Sequence, residues 1–216
     1  MRKMASCVLM ITLLLSGCRA GSTGGTPEDA ALALREEYQG LAGWSAAMDV
    51  SVCYTETVYD FSMDVQWRRD GETVLTVTAP ELVAGITARV AQGETVLEYD
   101  GAGLSLGLLD GDGLTPVSAA TAFMEQIEKG WMAKCAWSGE NGELLQISFR
   151  DPELEADTGT QYLLTFDRAG GALLAAEVST AGETVLTARI SNFTTERSQN
   201  ETGNNTHMGR GQPGQS

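Results

Sequence analysis

Hydrophobic residues recur with a helical period at the start of the central part of the chain. Thr26 and Pro27, followed by two acidic residues, are typical of a helix start because they suit the cap and the first turn. Glycines at positions 40 and 43 indicate where the helix ends. The apolar stripe between these signals consists of Ala31, Leu34, Tyr38 and Leu41. The pattern predicts one amphipathic helix.

From Ser45 onward, the hydrophobic period changes from helical to two. Val50 and Val52 alternate with polar neighbours, and the same alternation runs from Phe61 to Trp67. This period is typical of half-buried antiparallel strands, and Asp-Gly pairs such as Asp100-Gly101 are typical of the hairpin turns between them. We expect about ten strands in all, continuing to Phe193.

A second helix interrupts the strands. Thr115-Pro116 starts it, Gly130 stops it, and apolar residues lie on one face between them. Two helices and about ten strands predict an α+β fold, a single curved antiparallel sheet with the helices packed on its concave face. This domain is predicted to span residues 27–197.

The first 17 residues have the pattern of an export signal. Two basic residues precede an apolar run from Met4 to Leu15, which is too short to span a membrane. The sequence Leu15-Ser16-Gly17-Cys18 resembles the lipobox of bacterial lipoproteins. The resemblance implies cleavage between Gly17 and Cys18 and attachment of diacylglycerol and an N-palmitoyl chain to Cys18. The alternative is a plain signal followed by an unmodified cysteine.

The segments that flank the domain are rich in small and polar residues. Residues 18–26 would combine the lipidated cysteine with a flexible tether, and residues 198–216 are predicted to be disordered. Together they predict a domain held to the extracytoplasmic face of a cell membrane by lipid at Cys18.

The chain is strongly acidic, with a formal net charge of −15 at pH 7. Loss of Arg2 and Lys3 with the signal would make the charge −17 and leave Lys129 and Lys134 as the last lysines. A chain this acidic is repelled by phosphate backbones, so we expect no nucleic-acid partner.

Four cysteines occur in the chain, and two of them belong to the signal and the lipid site. In an exported protein the remaining pair, Cys53 and Cys135, suggests a disulfide. Two unbonded thiols are the alternative, because spacing along the chain says nothing about the distance that a disulfide requires.

No constellation of residues predicts catalysis. Residues 103–107 read GLSLG and match the G-x-S-x-G pattern of serine hydrolases, but that motif needs a strand-to-helix turn and a nearby base. Here the flanks of Ser105 are strand-like, and His207, the single histidine, lies in the tail. One histidine and two isolated cysteines do not make a zinc site. We therefore predict a protein that is not an enzyme and uses no metal or cofactor.

The order of elements resembles the LolA/LolB superfamily of lipoprotein-carrier half-barrels. The segments that carry the resemblance are YDFSMDVQWRRDGETVLTVTAPELVAGITARV, LEYDGAGLSLGLL and TPVSAATAFMEQIEKGW. Residues 79–88 and the YDG turn at 99–101 look most similar to GerS-related germination lipoproteins of spore-forming bacteria. The resemblance implies an incomplete barrel of about eleven strands, closed by helices around an apolar cavity that takes acyl chains in carrier members.

Two functions follow from this resemblance. The first is binding of lipid or lipoprotein acyl chains in the cavity, and the second is GerS-like docking of a partner such as a cell-wall amidase. The residues expected on the concave face are Val52, Met63, Val65, Ile86, Phe123 and Ile127. Core packing is the alternative role for all six.

Overall fold

The computed structural model describes residues 25–54, 57–91, 94–108, 115–155 and 158–197. These residues form two α-helices, one short 3-10 helix and eleven strands. The helices are α1 (Pro27–Gln39) and α2 (Pro116–Lys129), and the 3-10 helix is Glu81–Val83. The strands are β1 (Leu41–Tyr54), β2 (Thr57–Arg68), β3 (Thr73–Ala79), β4 (Thr87–Ala91), β5 (Glu94–Tyr99), β6 (Ala102–Leu108), β7 (Met132–Ser138), β8 (Leu144–Arg150), β9 (Thr160–Asp167), β10 (Leu173–Thr180) and β11 (Glu183–Arg197).

All eleven strands belong to one curved sheet that does not close into a barrel. Their order is β6-β5-β4-β3-β2-β1-β11-β10-β9-β8-β7, and all neighbours are antiparallel. The sheet therefore consists of two meanders that meet where the first strand pairs with the last. The predicted α+β class and the predicted number of strands are confirmed.

Both helices begin with reciprocal side-chain caps. In α1, the Thr26 hydroxyl accepts a hydrogen bond from the Asp29 N–H at 3.1 Å, and the Asp29 carboxylate accepts one from the Thr26 N–H. Thr115 and Ser118 make the equivalent pair at the start of α2. Such caps satisfy backbone donors that the helix itself leaves without partners. The helix starts predicted from Thr-Pro pairs are correct.

The predicted end of α1 differs from the observed one. Gly40 ends the helix, and Leu41–Trp44 already belongs to β1 because Leu41 and Trp44 bury their side chains in the core. A Cβ at Gly43 would lie 2.8 Å from the Trp67 carbonyl oxygen. This glycine therefore allows close approach of β1 and β2 instead of stopping the helix.

The core lies between the helices and one face of the sheet, which we call the inner face. Ala31, Leu34 and Tyr38 of α1 and Phe123 and Ile127 of α2 are buried against it. α1 packs on β7 and β8, whereas α2 contacts β2 and β9. The Tyr38 ring meets Phe166 edge-to-face, and Phe193 stacks between Tyr38 and Trp44. These contacts fix the helices over one part of the sheet.

A candidate ligand-binding surface

The inner face is built from rows of side chains that run across neighbouring strands. Residues directly paired in antiparallel strands point to the same side of the sheet. One such row begins at the centre of the sheet and ends at the β6 edge. It consists of Ala46, Val65, Leu75, Ala88, Leu97 and Leu104.

Burial decreases along this row towards β6. The first four residues are buried, Leu97 is partly buried, and Leu104 is 61% exposed. Exposure also increases towards this edge among other side chains of the inner face, since Met63 of β2 is buried whereas Tyr99 of β5 is 55% exposed. The inner face of β4–β6 therefore carries apolar side chains that the described helices leave uncovered. We call Ile86, Leu97, Tyr99 and Leu104 the open surface.

Several turns at one end of the sheet carry further exposed apolar side chains. The β1–β2, β3–β4 and β5–β6 connections lie at the same end because the strands form a meander. The tip of the β1–β2 hairpin contributes Tyr54 and Tyr59, whose ring centroids are 6.1 Å apart. The 3-10 helix between β3 and β4 contributes Leu82, which is 91% exposed. Tyr99 joins this rim to the open surface.

The six residues predicted to line a cavity have different positions. Val52, Met63, Val65, Phe123 and Ile127 are buried in the core cluster, where they pack between sheet and helices. Ile86 follows the 3-10 helix, is partly buried and directly precedes Thr87, which pairs with Glu98, the neighbour of Tyr99. The structure thus places five of the six in packed core and one at the uncovered apolar region.

Three surface pockets formed by described residues have volumes of about 470, 360 and 90 Å³. The largest lies between α1 and the β9–β10 turn, with Trp137, Arg168, Arg197 and Glu37 in its wall. The second lies at the β5–β6 turn and includes Tyr99. None of the six predicted residues lines any of these three pockets.

Two arginines hold the helices in place over the core. Arg35 of α1 donates hydrogen bonds to the Ile127 and Gly130 carbonyl oxygens at 2.8 and 2.5 Å. Arg69, in the β2–β3 turn, donates to the Tyr38 and Leu41 carbonyl oxygens and pairs with the Glu128 carboxylate at 2.7 Å. The Arg35 guanidinium therefore provides hydrogen bonds to the last carbonyl groups of α2. Its positive charge also interacts favourably with the negative end of the α2 helix dipole. The helices are therefore fixed by charge as well as by packing.

The structure does not join Cys53 and Cys135 in the disulfide that the sequence suggested. Cys53 alternates with buried Val52 and so points to the outer face, whereas Cys135 pairs with buried Ile147 on the inner face. Four strands also separate β1 from β7, and a disulfide needs Cα atoms within about 7 Å. Burial raises the pKa of the Cys135 thiol.

The predicted lipid site at Gly17 and Cys18, the tether up to residue 24 and the tail from residue 198 lie outside the described residues. They remain predictions. Within the described part of the chain, neither α1 nor α2 has the length and hydrophobicity needed to cross a membrane.

Ser105 of the GLSLG segment lies inside strand β6. It is therefore not on the strand-to-helix turn that a hydrolase nucleophile occupies. The described residues also contain no group of three or more His, Cys, Asp or Glu side chains arranged to hold a metal ion.

No protein-family model matches the sequence, and no curated protein sequence matches it. Solved structures do match. A putative outer membrane lipoprotein-sorting protein domain from Vibrio parahaemolyticus is 11% identical with a TM-score of 0.45, covering 83% of this chain and 96% of that one. A LolA superfamily protein from Nitrosomonas europaea is 9% identical with a TM-score of 0.39, covering 81% and 95%.

A third structure is the CwlD amidase of Clostridioides difficile in complex with the GerS lipoprotein. It is 12% identical with a TM-score of 0.41, covering 81% of this chain and 98% of the matched one. The solved structures that match this chain thus include a LolA superfamily protein and a complex that contains the GerS lipoprotein. At these identities and TM-scores, the similarity by itself transfers no function to this chain.

The strand character of β5 and β6 is evident in the sequence, but the exposure of their inner face is not. Leu97 and Tyr99 alternate with polar Glu98, and Leu104 alternates with Ser105. That alternation is typical of a strand with one apolar face, but these residues were not among the six predicted to lie on the concave face. It carried no signal for their exposure, because exposure depends on where the helices pack.

Proposed function

We propose that this chain is a membrane-anchored envelope lipoprotein that binds acyl chains of lipids or lipoproteins on its open surface and catalyses no reaction. The proposal rests on the increase in side-chain exposure along the inner face, from buried Val65 at the centre of the sheet to exposed Leu104 at its edge. A contiguous, uncovered apolar region on a concave sheet suits a flexible hydrocarbon chain.

The rim supports the same function. Leu82 of the 3-10 helix, Tyr54 at the end of β1 and Tyr59 near the start of β2 are exposed side chains at the end of the sheet that also carries Tyr99. Tyrosine and leucine are suited to the boundary between water and lipid headgroups. An acyl chain that leaves a membrane at this rim would reach the open surface without crossing the packed core.

The experiment is uptake of a fluorescent fatty acid by the protein from Arg19 to Ser216, which contains every described residue. Leu104→Ser removes an apolar side chain from the open surface. We expect binding to weaken about 3- to 10-fold, because covering part of one leucine is worth about 1 kcal/mol. Leu32→Ser is the matched control, since Leu32 is a similarly exposed leucine on α1, away from the open surface.

Mass spectrometry of lipids that co-purify with the same protein gives a second measurement. Absence of lipid together with no uptake of the probe would contradict acyl-chain binding. Equal binding by both leucine variants would place the ligand elsewhere.

A second function is favoured by the filled centre of the inner face, where Phe123 and Ile127 occupy space that a carrier would leave to its ligand. In this case the protein docks an extracytoplasmic partner, such as a cell-wall amidase, without binding lipid. A purified amidase that binds the protein with its open surface intact, in the absence of any acyl-chain uptake, would support this second function over the first.

The anchor is tested separately through Cys18. Cys18→Ala should abolish incorporation of labelled palmitate and leave an unprocessed or soluble precursor. If the variant incorporates as much label as the unchanged chain, Cys18 is not the lipid attachment site. This result is independent of whether the open surface binds acyl chains.

A further inference from the structure

The two edge strands of the sheet are protected to different degrees. β7 lies against α1 and carries Lys134. A covering helix and a charged side chain both discourage pairing with another chain. β6, at the opposite edge, has no charge and no proline in Ala102–Leu108, and among the described strands it pairs with β5 alone. β6 therefore offers a row of backbone donors and acceptors to a further strand.

The sequence of β6 is complementary to itself. Residues 103–107 read GLSLG in both directions. If two copies of this strand pair antiparallel with Ser105 at the centre, Leu104 of each copy lies opposite Leu106 of the other, and glycine lies opposite glycine. Leu104 and Leu106 are both exposed, and apolar cross-strand pairs stabilise a sheet. The palindrome thus favours a second copy of this chain over an unrelated strand.

Charge also favours this strand as the meeting point of two copies. With a net charge of −15 per chain, two molecules repel each other over most of their surfaces. β6 brings no carboxylate of its own to such a contact. Its glycines allow a second backbone to approach closely. In the ladder between β5 and β6, residues 102–105 are paired regularly, whereas Leu106 is bulged between Ser105, which pairs with Val96, and Gly107, which pairs with Thr95. Pairing of two copies about Ser105 therefore requires Leu106 to take up regular strand geometry at this edge.

We propose that β6 is a self-association edge, at which β6 of a second copy pairs antiparallel about Ser105 and joins two sheets into one. This inference does not depend on lipid binding. A single strand edge buries less than the roughly 1,600 Å² of a standard interface, so we expect a weak dimer with a Kd on the order of 100 μM.

Sedimentation equilibrium of the protein from Arg19 to Ser216, over a range of concentrations, tests the proposal. Ser105→Lys places two like charges opposite each other at the centre of the pair and should raise Kd at least about ten-fold. Ser191→Lys is the matched control, because Ser191 is also exposed on a strand but lies in β11, far from the β6 edge in strand order. It should leave Kd unchanged.

Cross-linking tests the register. Ser105→Cys, in a chain that also carries Cys53→Ser and Cys135→Ser, should form a disulfide-linked dimer on oxidation. Directly paired Cα atoms in antiparallel strands are about 4.5–5.5 Å apart, within disulfide reach. Ser191→Cys in the same background should stay monomeric. The proposal is overturned if the unchanged protein is monomeric at all concentrations, or if Ser105→Lys dimerises as well as Ser191→Lys while thermal unfolding shows both to be folded.

Discussion

The two arms of the sheet, β7–β11 and β3–β6, have similar alternating sequences but differently covered inner faces. In β7–β11, inner residues such as Ile147, Phe149 and Leu164 are almost completely buried. In β3–β6, Leu75 is buried, but Tyr99 and Leu104 are exposed. The cause is the placement of the helices, since α1 packs on β7 and β8 whereas α2 contacts β2 and β9. We call these regions the covered arm and the open arm.

The difference shows that one sequence pattern can produce both a covered and an exposed inner face. In the covered arm, alternating apolar residues supply stability, because each buried side chain is removed from water. In the open arm, the same alternation supplies a surface that is available to other molecules. Substitutions should therefore affect unfolding in one arm and binding in the other.

The largest effect is expected from truncation of a buried leucine in the covered arm. Leu164 is 0% exposed, so Leu164→Ala should lower the free energy of unfolding by about 2–5 kcal/mol through lost burial and the cavity that remains. Leu104→Ala is the same chemical change in the open arm and should stay within about 0.5 kcal/mol. Urea unfolding of both variants measures the contrast. Equal losses would show that the open arm is covered in solution.

An intermediate decrease in the free energy of unfolding is expected when Arg69 is truncated. Arg69→Ala removes the hydrogen bonds to Tyr38 and Leu41 and leaves the mostly buried Glu128 carboxylate without its cation. We expect the free energy of unfolding to fall by about 2–3 kcal/mol, because hydrogen bonds to charged groups are among the stronger ones.

Arg89→Ala is the comparison in the open arm. Arg89 pairs with Glu72 and Glu98 at the surface, where water and salt screen ion pairs. The expected loss is smaller than that for Arg69→Ala. Thermal unfolding of the two variants at matched salt checks the order, and a reversed order would mean that Arg69 does not fix α2 to the sheet.

A smaller effect than that of Arg69→Ala is expected from Tyr38→Phe, which removes the 2.9 Å hydrogen bond from the phenol to the Gly171 carbonyl oxygen. The free energy of unfolding should fall by about 1 kcal/mol at neutral pH. Burial raises the pKa of the Tyr38 phenol above its ordinary value near 10, so the neutral form stabilises the fold below that pH. This stabilisation declines as the pH rises further.

Denaturant unfolding between pH 8 and about 11 measures this dependence. The unchanged protein should lose stability above pH 10, and Tyr38→Phe should lose less over the same range. Parallel curves for the two proteins would show that Tyr38 does not titrate with unfolding.

Local features of the structure were predictable from the sequence, and contacts between distant segments were not. The starts of both helices and the strand that contains Phe61 to Trp67 were predicted correctly, because caps and alternation are encoded within a few residues. The positions of Cys53 and Cys135 on opposite faces depend on strand order, which spacing along the chain does not reveal. The packing of Phe123 and Ile127 into the core likewise depends on the docking of α2.

The pairing of β1 with β11 has a consequence for how the fold is completed. A polypeptide is made from its amino end, so β1 exists long before the strand that it needs on one side. Pairing of the last strand with the first connects residues far apart in the chain, and such long-range pairing slows folding. A chain shortened before residue 183 would accordingly lose the middle of its sheet and leave two separated halves.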